Sequence, residues 1–129
     1  MNLKYSFFHI FVHLTIVLFI YYFFHLNTTS LLIAILGSIW IDFDHIFLVK
    51  KIGIRGYFDL RTGTELGKPR QYPLHNFLVI TIAGMFSFAL FNPSKYLLGL
   101  FFLATFLHLC WDLLEDVIIF KISRNHWEL

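Results

Sequence analysis

The chain of 129 residues is too short for two ordinary domains, and its one cysteine, Cys110, excludes an intrachain disulfide. Its apolar share of 58% and charged share of 14% stand against about 45–50% and about 25% in soluble domains, which excludes an ordinary water-soluble fold and points to a membrane. A net charge of +2 is too small to suggest a nucleic-acid partner.

In chain order, four segments approach the roughly 20 apolar residues that cross a bilayer. The first, about Lys4 to His25, is longer than the apolar part of a signal peptide and has no small-residue cleavage site, so it reads as a retained anchor. Asn27-Thr28-Thr29-Ser30 joins it to the second, Leu31 to Val49, with Ser30 as the expected N-cap. The third runs from Leu74 to Phe91 and the fourth from Tyr96 to Lys121, joined by Asn92-Pro93-Ser94. The short links imply two antiparallel hairpins. The central connection, Lys50 to Pro73, is polar and broken by glycines, and it carries Lys50, Lys51, Arg55, Arg61, Lys68 and Arg70. By the positive-inside rule this loop and both termini are cytoplasmic. The expected fold is therefore all-α: one domain over residues 1–129, an integral bundle of four transmembrane helices with a polar cytoplasmic loop between the second and third. It would lie in the cytoplasmic membrane, and four thin helices would gain from pairing into a homodimer.

The second segment contains Asp42, Asp44 and His45, which a lipid-facing helix should exclude because an unpaired charge there costs several kcal/mol. No Lys or Arg lies in a spanning segment to neutralise them. At 1.5 Å per residue, His9 and His13 lie roughly 8 and 14 Å from the cytoplasmic end of the first helix, and Asp42 to His45 roughly 8–12 Å from the same side. His75 opens the third segment there, and His108 and Asp112 lie roughly 20 and 14 Å from Lys121 in the fourth. Residues three or four apart share a helix face, which pairs His9 with His13, Asp42 with His45, and His108 with Asp112 and Glu115. All four segments thus bring ligand-type residues to one half of the bilayer. Carboxylates and imidazoles at one depth suit a divalent cation, zinc first and manganese or iron as alternatives. His13, one turn deeper than His9, is the better placed ligand. Asp44 points about 100° away from His45 on a regular helix, so either the helix is distorted there or Asp44 serves a second ion or an outer shell.

The segments Ile35-Leu36-Gly37-Ser38-x-x-x-Asp42-Phe43-Asp44-His45, Pro73-Leu74-His75-Asn76 and Leu107-His108-x-x-x-Asp112 together resemble the LexA-regulated, membrane-bound metal-dependent hydrolase family, itself distantly similar to zinc-dependent phospholipases C. The resemblance covers nearly the whole chain in order. It implies metal-ligand roles for His13 (or His9), Asp42, Asp44 or His45, His75, His108 and Asp112. Ile41 stands where the family has a proline, Asn76 where it has a serine, and Arg70-Gln71 in place of a His-Arg pair.

The leading expectation is a membrane-bound hydrolase of a phosphoester, a phospholipid being the natural substrate for a site reached from the bilayer. The metal ligands would be His13, Asp42, His45, His75, His108 and Asp112, enough for two ions. Asp44 or Glu115 would orient the attacking water as general base, and Lys68 and Arg70 would engage phosphate. The glycine-rich loop from Gly53 to Pro69 would close over the site. The alternative from a different class is a non-hydrolytic protein that handles metal ions or protons. Haem held by two histidines is a third reading, opposed by aspartates at the same level.

Overall fold

The computed structural model describes residues 3–46, 49, 50, 53 and 74–115, with side chains from residue 10 onward. Among these residues the protein is all-helical, with α1 (Leu3–Phe23), α2 (Thr28–Ile39), a 3-10 helix (Trp40–Asp44), α3 (Phe77–Leu90) and α4 (Tyr96–Leu114). Of the described helices, α4 is long and apolar enough to cross a membrane, with 19 residues and a mean hydropathy of 1.9. The apolar stretches Ile10–Phe23 and Phe77–Leu90 are shorter.

Local chemistry sets the helix ends. His25 adopts a positive φ of 50° after α1. Leu26 N donates to Tyr21 O at 3.1 Å and His25 N to Tyr22 O at 3.5 Å. That pair of bonds is a Schellman cap, a site usually occupied by glycine. The next helix begins three residues earlier than expected. Asn27 is the N-cap, its side chain accepting from Ser30 N at 2.9 Å, while Ser30 lies inside the first turn. The Asn27 side chain reaches forward over the first turn, and Ser30 is left to pack in the interior.

The two hairpins stand side by side with their turns at the same end. Phe24 after α1 meets Phe91 after α3, ring centroids 5.1 Å apart. Near this end Ile20, Leu26, Ala34, Leu100 and Ala104 form one buried cluster. A second cluster, Ile41, Ile80 and Leu109, lies further along the bundle, with half-buried Cys110 against it. Helix α4 is the central member, packed against α2 on one side and α3 on the other, while α1 leans more lightly on α2 and α4.

The α2–α4 crossing is close. A Cβ placed on Gly37 would overlap the carbonyl oxygen of Phe101, so only glycine permits this approach. Thr105 Oγ donates to Gly37 O at 2.6 Å and accepts from Trp40 Nε1 at 2.7 Å, clasping the end of α2 to α4.

The distribution of polarity is unusual. As many polar or charged residues as apolar ones are buried among those described, including Asp44, His75, His108, Asp112 and Glu115. Large apolar residues instead face outward, Phe88 being 90% exposed and Tyr22 72%. So many large apolar side chains on the exterior are atypical of a protein that meets only water.

Candidate metal centre

The centre is built by a change of helical winding. Beyond Ile39 the chain tightens into a 3-10 helix, where residues three apart eclipse. Ile41 and Asp44 then form one row, which is buried, and Asp42 and His45 another, with side chains 33% and 20% exposed. The helix is thus distorted at Asp44, one of the two alternatives its spacing left open. Both aspartates can face the same neighbour, His75, from adjacent rows.

His75 does not open a helix, as the sequence suggested. It lies in a short non-helical segment before α3, whose N-cap is Asn76, accepting from Val79 N at 2.9 Å. Asp44 Oδ2 fixes that segment twice, accepting from Leu74 N at 2.9 Å and from His75 Nδ1 at 3.1 Å. We expect Asn76→Ala to cost about 0.5–2 kcal/mol and Asn76→Ser much less. Thermal melting in detergent would read the difference, and equal melting of all three proteins would overturn the role given to this cap.

His108 and Asp112, one turn apart on α4, complete the inner group. Asp112 Oδ2 lies 3.0 Å from His75 Nε2 and 3.1 Å from His108 Nε2. Asp42 Oδ1 lies 3.3 Å from His108 Nε2 and 3.7 Å from His75 Nε2. One donor atom from each of Asp42, His75, His108 and Asp112 falls within 4.8 Å of the others. Bonds of about 2.0–2.1 Å to a tetrahedral zinc put neighbouring donors about 3.3–3.4 Å apart, and the four separations straddle that value. Each imidazole Nε2 also faces two carboxylates at once, whereas an N–H can point squarely at only one. The donor set therefore fits a divalent cation, and two carboxylates balance its charge.

The outer nitrogens are held as metal-binding histidines require. Where His75 Nδ1 donates to the Asp44 carboxylate, Nε2 faces the inner group as a ligand. Ser38 Oγ lies 3.4 Å from His108 Nδ1 and plays the corresponding part there. Asp44→Asn is expected to lower metal affinity by roughly 10–100-fold, as loss of such an outer partner commonly does. Competitive titration against a fluorescent chelator measures it, and an unchanged constant would remove Asp44 from this role.

The other predicted residues separate clearly. His13 Nε2 is 3.4 Å from Asp112 Oδ1, and the His13 ring stacks on His108 with centroids 3.8 Å apart. His45 joins Asp44 and His75 in a second potential group. Asp44 Oδ1 is buried there without a hydrogen bond, 3.8 Å from His45 Nε2. The two groups share His75. Glu115 is buried at the end of α4 but belongs to neither group. Lys68 and Arg70, the side chain of His9 and the central loop other than Lys50 and Gly53 lie outside the described residues. Sequence reasoning missed Ser38, Trp40 and Thr105. Ser38 was findable, being four residues before Asp42 on a polar face, whereas nothing in the chain marks Thr105 as the partner of Trp40.

No family model, curated protein or solved structure matches the chain.

Proposed function

We propose that the protein is a membrane-embedded, metal-dependent hydrolase of a phosphoester. The observation that carries this reading is the convergence of Asp42, His75, His108 and Asp112 from three separate segments, one donor atom of each within 4.8 Å of the others. Asp42, His75, His108 and Asp112 would hold a divalent cation, zinc by preference, which would supply Lewis acidity to water and to a phosphoester oxygen. The residues contribute the rest. Asp44 and Ser38 orient the two imidazoles, His13 lies against Asp112 where a proton can be accepted or returned, and the apolar surroundings exclude competing water. The motif resemblance supports the same class. Asn76 in place of its serine is a chemically modest departure, because both residues cap helices well and Asn76 does so here.

The apolar exterior, the buried polar interior and the basic central connection support a four-span bundle with both termini and the loop on the cytoplasmic side. The hairpin turns would then lie outside and the centre in the cytoplasmic half. Lys68 and Arg70 would approach phosphate from the loop, and Glu115 remains a second base for this mechanism. Because the ligand-type residues occupy one half of the bundle, a pocket accounts for them better than a continuous ion path.

The test is release of phosphate or alcohol from p-nitrophenyl phosphate and phosphatidic acid by the purified protein. Turnover should vanish with a chelator, return with zinc or manganese, and fall by more than roughly 100-fold in Asp42→Ala. A protein that binds stoichiometric metal, moves it across liposomes and turns over no phosphoester would replace this reading with metal transport.

A further inference from the structure

A groove of about 360 Å³ runs between α1 and α2 and ends at the metal centre. Its volume lies within the roughly 300–1,000 Å³ of small-molecule sites. Ile10, Leu14, Val17, Ile35 and Ile39 make its walls apolar. Its polar lining is the centre itself and its support: His13, Ser38, Asp42 and His108. Of the four inner donors, Asp42 alone is appreciably open, its side chain 33% exposed while those of His75, His108 and Asp112 are 1–3% exposed. Asp42 and His108 both line the groove, so the groove reaches the centre.

The groove has a direction. Helices α1 and α2 are antiparallel, so Ile10 and Asp42 mark one end, and Val17 and Ile35 the other, roughly 10 Å away toward the hairpin turn. Val17 forms part of the buried floor, whereas Ile10, Leu14 and Ile39, each more than half exposed, form a rim open to the apolar exterior. A ligand matching this shape has a charged head at Asp42 and His108 and a single unbranched apolar tail along the helices. Such a tail would leave the cytoplasmic half and run toward the bilayer centre, as a lipid chain does.

We propose that this groove holds one acyl chain of a glycerophospholipid substrate, with its phosphoester at the Asp42–His108 end. The inference rests on the hydrolase reading for the word substrate, but the site itself is tested without turnover. The full chain is reconstituted in liposomes containing a phosphatidic acid with a diazirine midway along one acyl chain. The sample is irradiated, and labelled residues are mapped by mass spectrometry. Label is expected at Leu14, Val17, Ile35 and Ile39 at about fivefold or more over Met85 and Phe88, which face outward on α3. Leu14→Trp and Ile39→Trp, each filling the groove from its rim, should cut that labelling several-fold while bound metal is retained.

Equal labelling of the groove and of α3 would show ordinary boundary lipid and overturn the proposal. So would groove labelling that neither tryptophan variant reduces. An unlabelled groove in a protein that is dimeric in detergent would assign the face to a second copy instead. Phosphate release is read on the same samples. Selective labelling without release from any lipid would retain a lipid-chain site and remove the hydrolase reading. Release of phosphate with no selective labelling would do the reverse.

Discussion

Purified in mild detergent, the protein is expected to carry about one equivalent of a divalent transition metal per chain, and Asp112→Ala to carry essentially none. Asp112 is the centre's hub, because Oδ2 approaches both His75 and His108 at close to 3 Å while Oδ1 faces His13. It is also almost fully enclosed, at 3% exposure. Alanine removes half of the inner negative charge and the oxygen nearest to both imidazoles. The expected loss of affinity exceeds the roughly 10–100-fold that outer partners contribute. Plasma mass spectrometry on both proteins decides the matter. Stoichiometric metal in Asp112→Ala, or none in the wild type after purification shown not to strip it, would overturn the centre.

Gly37→Ala is expected to have the largest effect on the fold. The added methyl group has nowhere to go, since it would overlap backbone atoms of Phe101 rather than a side chain that can rotate away. The helices must separate, and overpacking of this kind costs about 1–3 kcal/mol or more. Separation also strains the clasp of Trp40, Thr105 and Gly37, whose bonds are 2.6 and 2.7 Å. A lower midpoint in detergent-monitored unfolding, together with weaker metal binding, is the expected pair of results. Unchanged values for both would mean that α2 and α4 do not meet at Gly37 as described. Thr105→Val should cost less, because it removes the clasp without forcing the backbones apart.

Much of this arrangement is legible in the sequence because composition and spacing act over short distances. Runs of apolar residues and two short links specify helical hairpins, and a four-residue interval puts His108 and Asp112 on one face. The parts that escaped depend on choices among near-equivalent local states. Asn27 and Ser30 both cap helices, and only the observed turn shows that the asparagine is used. The roles of Asp42, Asp44 and His45 could not be separated at 100° per residue; the tighter winding of the 3-10 helix separates them. The partnership of Trp40 with Thr105 spans 65 positions and leaves no periodic trace.

The centre draws on both hairpins, Asp42 and His13 from the first and His75, His108 and Asp112 from the second. Neither hairpin alone can offer the four inner donors, so a cation binds the assembled pair better than the separated ones. By linkage, a cation bound there would act as a clasp between two halves that leave the ribosome one after the other. Capture of an ion would then report that both halves have docked, and chelation would weaken the join between them.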